Sequence, residues 1–329
     1  MSGGPDLDAL LRGILAREGR PVARGLSVLE AGGAPAAALV RRLHSHVGRA
    51  RVVGITGPPG AGKSTLVDRL AQVCRQRGET VGILCVDPSS PFSGGALLGD
   101  RIRMQGLATD PGVFIRSMAT RGALGGLARA TRDAVDLLDA AGFDWVLVET
   151  VGVGQDEVDV VRTVDTVVVV TVPGLGDDIQ AIKAGILEVA DLFVINKADR
   201  DGAERAARDL EMMLALAGEH PEWLPPILRT VASRSEGITE LLEEVLRHRQ
   251  YLETSGSLRA RRVEQLRLRV ETLLKERVLA AARRAAGLDE AIDAGFAAGN
   301  DPYSLADRLF ADVVRHERGE REAGPREER

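Results

Sequence analysis

Residues 51–64 read Arg51-Val-Val-Gly-Ile-Thr56-Gly57-Pro58-Pro59-Gly60-Ala61-Gly62-Lys63-Ser64. The last eight satisfy G-x-x-x-x-G-K-[ST]. They follow the apolar, β-branched run 52–56 and precede a helix-patterned stretch over 64–76, which is the context the motif requires. Glycines let successive backbone N–H groups close around phosphate oxygens, and the start of the helix adds its positive end. Lys63 then reaches the β- and γ-phosphates, and Ser64 places its hydroxyl on Mg²⁺. The stretch therefore predicts a strand, loop and helix that bind a nucleoside triphosphate.

Outward from this unit, short β-branched runs alternate with amphipathic ones. Strands are predicted over 52–56, 80–86, 113–116, 145–149, 167–172, 192–196 and 227–231, and helices over 64–76, 124–140, 179–190 and 204–217. Such alternation is the mark of a mostly parallel sheet wrapped in helices, so the expected fold is a three-layer α/β domain over 49–255. Residues 1–48 read as a helical segment. One apolar face carries Leu7, Leu10, Leu11, Ile14 and Leu15, and a second helical stretch runs through Ala36, Leu39, Val40 and Leu43.

Residues 256–329 are read as a helical extension. One long helix carries Val263, Leu266, Val270, Leu273, Leu274 and Val278 on its apolar stripe, and that face fits a partner helix. The partner is either the α/β domain or a second copy of the chain, because the later segment 303–314 could also extend away from the core. The Arg-rich face over 259–269 reads as solvated surface. From His316 onward the charged, Gly- and Pro-bearing tail is expected to be disordered.

Composition narrows the function. The 329 residues carry 43 Lys+Arg and 48 Asp+Glu, a net charge of −5, with ten aromatics in all. That is not the basic, aromatic-interleaved surface that grips nucleic acid. No apolar run reaches the ~18 residues needed to cross a bilayer. The start, Met1-Ser2-Gly3-Gly4-Pro5-Asp6, lacks the order of a secretory signal and the N-myristoylation pattern, so a cytoplasmic protein is expected. Cys74 and Cys85 lack the spacing of a zinc site or a disulfide framework and read as packed thiols.

Three further stretches carry chemistry. Asn196-Lys197-Ala198-Asp199 follows the apolar run 192–196 at the edge of the sheet where strands end. Asp199 can accept from the ring N–H and the exocyclic amine of guanine, a donor pair that adenine lacks, so GTP is expected over ATP. Trp145-Val-Leu-Val-Glu149-Thr-Val-Gly152 ends an apolar strand in an acid, with a glycine three residues on. Glu149 can hold the Mg²⁺ shell, through a metal-bound water given its length, and the Gly152 N–H can meet the γ-phosphate. Val153 follows Gly152, so the water-positioning Gln of small signalling GTPases is absent from that place and slow intrinsic hydrolysis is expected. In Val86-Asp87-Pro88-Ser89-Ser90, Asp87 is a candidate for orienting the attacking water or the Mg²⁺ shell, and Asp100 follows in a glycine-rich loop.

Together these features resemble the metal- and cofactor-delivery GTPases of the signal-recognition-particle/MinD class. The stretches 57–64, 86–90, 114–128 (F-I-R-S-M-A-T-R-G-A-L-G-G-L-A) and 149–155 (E-T-V-G-V-G-Q) are similar to its MeaB/ArgK branch, the bacterial counterpart of the human methylmalonic aciduria type A protein. The resemblance spans about residues 19–314. It implies a GTP-dependent chaperone that gates cofactor loading and protects an adenosylcobalamin-dependent acyl-CoA mutase, usually methylmalonyl-CoA mutase, and a homodimer built through C-terminal helices. It assigns the nucleotide contacts to Gly57, Pro58, Pro59, Gly60, Ala61, Gly62, Lys63, Ser64 and Thr65. Phosphate and Mg²⁺ positions fall on Lys63, Ser64, Asp87, Asp100 and Glu149, and the guanine site on Asn196, Lys197 and Asp199. The loop 174–183 resembles a mobile third switch, with Asp177, Gln180 and Lys183 as its polar residues. One departure concerns the guanine loop, which often reads S-A and here reads Val231-Ala232, leaving the Ala232 N–H to serve.

Three other readings share the core. A nickel-delivery GTPase normally needs His/Cys clusters, whereas this chain has five histidines and one close pair, His44 and His46, whose rings diverge on a helix. A kinase of the ArgK-labelled type would make a phosphorylated acceptor rather than free phosphate. A binding switch without turnover is the third.

Overall fold

A computed structural model describes residues 6–87, 106–119, 126–150, 162–174, 189–216 and 223–322. The chain divides into two compact units, Met1–Arg262 and Val263–Arg329. The first holds seven strands: β1 (Arg51–Thr56), β2 (Val81–Asp87), β3 (Val113–Ala119), β4 (Trp145–Thr150), β5 (Thr166–Thr171), β6 (Leu192–Asn196) and β7 (Ile227–Thr230). They form one sheet in the order β3-β2-β4-β1-β5-β6-β7, with every pairing parallel. The seven strands predicted from sequence are all present, with ends that differ by up to three residues.

Side chains alternate across the sheet with period two. On β4, Trp145 and Leu147 enter one core with Val53, Ile55, Ile83, Val168, Val170 and Val194, while Val146 and Val148 enter the other with Val52, Leu84, Val169 and Phe193. Both faces are covered, which is why β4 and β5 are buried along their whole length. Each fully buried Val, Leu or Ile contributes roughly 1.5–3 kcal/mol.

The face that carries Val146 and Val148 is covered by α1 (Leu7–Leu15), α2 (Gly19–Ala31), α3 (Gly33–Leu43), α5 (Gly126–Ala140) and α6 (Ala203–Leu216). The face that carries Trp145 and Leu147 is covered by α4 (Lys63–Gln76) and α7 (Ile238–Thr254). The N-terminal segment contains three helices where two were expected. α2 buries Val22, Leu26 and Leu29, and Gly25 lets it approach α5 so closely that a Cβ would lie 2.7 Å from Leu137. Leu10 and Ile14 of α1 are buried as expected, but Leu15 is exposed. Cys74 and Cys85 are both buried, and burial pushes the Cys74 thiol up to about 12.

At the N-terminal ends of β5 and β6, two buried carboxylates gather arginines. Asp165 pairs with Arg249 and Arg262, each at 2.8 Å, and Asp191 takes both ends of the Arg261 guanidinium at 2.7 and 2.8 Å. This corrects the reading of the 259–269 face as solvated: Arg261 and Arg262 fasten the start of α8 (Ser257–Ala286). Arg116 of β3 pairs with Glu30 of α2 at 2.6 Å. His44 and His46 lie in one exposed 3₁₀ turn.

The second unit comprises most of α8, with α9 (Leu288–Ala297) and α10 (Pro302–Glu322). On α8, Val263, Leu266, Val270, Leu273, Leu274 and Val278 are exposed, as are Phe296, Tyr303 and Phe310 further on. α10 continues to Glu322, past the His316 where composition predicts the ordered chain to end. Residues 317–322 are mostly Glu and Arg, good helix formers despite their charge. No helix among the described residues is long and apolar enough to cross a membrane.

Candidate nucleotide site

β1 lies at the centre of the sheet, between β4 and β5, where a strand order that reverses leaves a crevice at the strands' C-terminal ends. The loop 57–62 leaves β1 at that edge. Gly57 has φ +140° and Gly62 φ +89°. A Cβ on Gly57 would lie 2.0 Å from the Val170 carbonyl oxygen of β5, and one on Gly62 2.5 Å from Asn196 Nδ2, so neither place admits a side chain. α4 starts directly after the loop, and its first-turn amides have no partner inside the helix. With the helix dipole, they favour an anion there.

Lys63 is buried, and its Nζ folds back to donate to the carbonyls of Gly57 at 2.5 Å and Pro58 at 3.1 Å. Ser64 donates from Oγ to Glu149 Oε1 at 2.6 Å. Glu149 is 2% exposed and stands on β4 beside β1, in register with Ile55. One residue on, Thr150 donates its hydroxyl to Thr56 at 3.0 Å. A hydroxyl and a buried carboxylate side by side under the phosphate loop are the hard oxygen donors that suit Mg²⁺. Thr65 follows in the first turn of α4 and is exposed.

A single side chain ties the phosphate loop to the loop after β7. Asn196, at the end of β6, donates from Nδ2 to the Ala61 carbonyl at 2.8 Å, and its Oδ1 accepts from Thr230 Oγ1 and from the Ala232 amide, both at 3.1 Å. The Ala232 N–H, assigned to the base by resemblance, is thus engaged by Asn196 here. Lys197, at φ +56°, reaches back to the Gly60 carbonyl at 2.7 Å. Asp199 stands at the rim, where Arg234 contacts its Oδ2 at 3.2 Å.

The predicted residues Lys63, Ser64, Glu149, Asn196, Lys197, Asp199 and Ala232 are therefore brought to one end of the sheet. Asp87 closes β2, but its side chain lies outside what is described, as do Asp100, Gly152, Asp177, Gln180, Lys183 and the residues from Pro88 to Ser90. The sequence reading missed Thr230, whose signal is a hydroxyl at a strand's end just before the guanine loop. It also missed Arg234, for which there was no signal. Among the described residues, no group of three or more His, Cys, Asp or Glu side chains gathers as for a metal ion.

The family model described as methylmalonyl Co-A mutase-associated GTPase MeaB matches residues 22–287. The chain belongs to the MeaB family. A relative in Pyrococcus abyssi is 48% identical over 314 residues, 94% of this chain and 97% of that protein. The methylmalonic aciduria type A homolog of Mus musculus is 42% identical over 231 residues, 69% of this chain and 56% of that protein. GTPase ArgK of Escherichia coli is 40% identical over 231 residues, 69% of this chain and 70% of that one. A crystal structure of an LAO/AO transport system kinase superposes with a TM-score of 0.72 at 28% identity, covering 96% of this MeaB-family chain and 99% of the other.

Proposed function

We propose that this MeaB-family chain binds GTP with Mg²⁺ and hydrolyses it slowly, and that this cycle gates adenosylcobalamin loading of, and protects, an acyl-CoA mutase of the methylmalonyl-CoA type. The observation that carries the reading is Asn196. Its bonds to Ala61 on one side and to Thr230 and Ala232 on the other make the phosphate loop and the guanine loop parts of one built site.

The residues act as follows. The Lys63 ammonium exchanges its loop carbonyls for β- and γ-phosphate oxygens, and the first-turn amides of α4 complete the phosphate cradle. Ser64 and Glu149 hold Mg²⁺, with Asp87 and Asp100 at the family's remaining metal positions. When bound, Mg²⁺ neutralises charge on the phosphate oxygens. Asp87 orients the attacking water, Gly152 meets the γ-phosphate, and Gln180 and Lys183 belong to the switch that senses the partner. With Val153 where a water-positioning Gln could stand, rapid turnover depends on the mutase. Asp199 accepts from the guanine edge. The exposed apolar stripe of α8 supports a homodimer in which a second copy covers it.

The guanine assignment is tested by Asp199→Asn. An amide presents a donor where the carboxylate presents an acceptor, so GTP binding weakens and xanthosine triphosphate binding improves. Unchanged nucleotide preference would remove the assignment. The likeness to a structure described as a transport system kinase favours a second reading, phosphoryl transfer to an acceptor. Free phosphate released in amounts equal to the GDP formed decides against it.

A further inference from the structure

We infer that Arg234 is a positioning residue for guanine. It holds the Asp199 carboxylate in the orientation that meets the base, and it remains as countercharge once the base covers that carboxylate. The inference rests on the guanine reading of Asp199 above.

The contact is one-sided. Arg234 Nη2 reaches Asp199 Oδ2 at 3.2 Å, although a guanidinium can engage both oxygens of a carboxylate at once. Asp199 Oδ1 accepts no hydrogen bond among the described residues. A carboxylate offers about four lone-pair sites, and guanine takes two, one from its ring N–H and one from its exocyclic amine. The single bond to Arg234 leaves those two available, so base and arginine bind the carboxylate together.

Charge requires the arginine to stay. Guanine is neutral, so its edge displaces water from Asp199 without cancelling the negative charge, and a desolvated carboxylate is costly unless it is paired. Val231 has no polar side-chain atom to offer at its place. Arg234 does, and its backbone is fixed. Its amide donates to the Val231 carbonyl at 2.9 Å, and Val231 and Glu236 close the loop as an antiparallel bridge. The Ala232 amide two residues earlier is held by Asn196, which itself lies three residues before Asp199. The ion pair and the base site therefore share one anchor.

The test measures Kd for GTP, GDP and inosine triphosphate, whose base lacks the exocyclic amine, with wild type, Arg234→Ala and Arg234→Lys, each also in the Asp199→Asn background. Arg234→Ala should weaken GTP and GDP alike by about three- to tenfold and inosine triphosphate less, so that the preference for guanine shrinks. Arg234→Lys should recover part of the loss, and in the Asp199→Asn background Arg234→Ala should change nothing. Equal losses for GTP and inosine triphosphate that persist in that background would show a merely structural role and overturn the inference. Unchanged GTP binding would overturn it too, as would tighter binding, which would mean that Arg234 competes with the base. Wild-type protein with no preference for guanine nucleotides would overturn the reading of Asp199 itself, and this inference with it.

Discussion

The hydroxyl of Ser64 donates a 2.6 Å hydrogen bond to Oε1 of Glu149, joining the residue after the phosphate-loop lysine to the end of the strand beside β1. The two side chains come from positions 85 residues apart and meet because β4 and β1 pair in parallel with Ile55 opposite Glu149. Where small signalling GTPases carry D-x-x-G, this chain has a glutamate, and its carboxylate meets the serine directly.

If the pair holds Mg²⁺, each member is needed. Ser64→Ala and Glu149→Gln should each raise the Mg²⁺ concentration for half-maximal GTP hydrolysis by about tenfold or more. Titrating Mg²⁺ at fixed GTP measures this, and an unchanged requirement would remove both residues from the metal site.

Asn196→Ala removes one donor and one two-fold acceptor from a buried network, leaving the Ala61 carbonyl, the Thr230 hydroxyl and the Ala232 amide without that partner. The expected loss of stability is about 2–4 kcal/mol, read from the denaturant midpoint, together with weakened GTP binding. A variant of native stability that binds GTP normally would show that the two loops do not depend on this tie.

His248 predicts a pH dependence away from the nucleotide. It is buried between Thr166, whose hydroxyl lies 2.9 Å from Nδ1, and Asp191, whose Oδ1 lies 3.3 Å from Nε2. Burial drives its pKa down to about 4 against the pull of the Asp191 carboxylate, and Arg261 adds to the depression. The unfolded chain, titrating near 6.5, then binds a proton that the native chain does not. Stability contributed by neutral His248 is complete above about pH 6.5 and is lost as pH falls through about 4, on the order of 3 kcal/mol in all. Denaturant titrations across that window should show the loss in wild type and a flatter profile in His248→Gln; equal slopes would contradict the assignment.

What the sequence displays and what it hides differ for physical reasons. The phosphate loop is legible because its geometry demands particular residue types, as the positive φ values of Gly57 and Gly62 show. The strands are legible because two covered faces require near-continuous apolar runs. α2 is hidden because Gly19, Pro21, Gly25 and Gly32 look like breakers. In the fold, however, Pro21 sits in the first turn, where no amide partner is lost, and Gly25 marks a close approach to α5. α9 is hidden because Gly287 and Gly295 punctuate a short stretch. The forks of Arg261 on Asp191 and Arg262 on Asp165 join residues 70 and 97 positions apart, so local charge patterning makes them look solvated. Arg234 is missed for the same reason: its partner lies 35 residues back, across a loop that no periodicity marks.

The central claim is best tested by GTP and ATP hydrolysis by the purified protein, alone and with an adenosylcobalamin-dependent methylmalonyl-CoA mutase from the same source. The account predicts slow turnover of GTP only, rising sharply when the mutase is added. GTP turnover indifferent to the mutase would contradict the chaperone role, and turnover of ATP would contradict the guanine site.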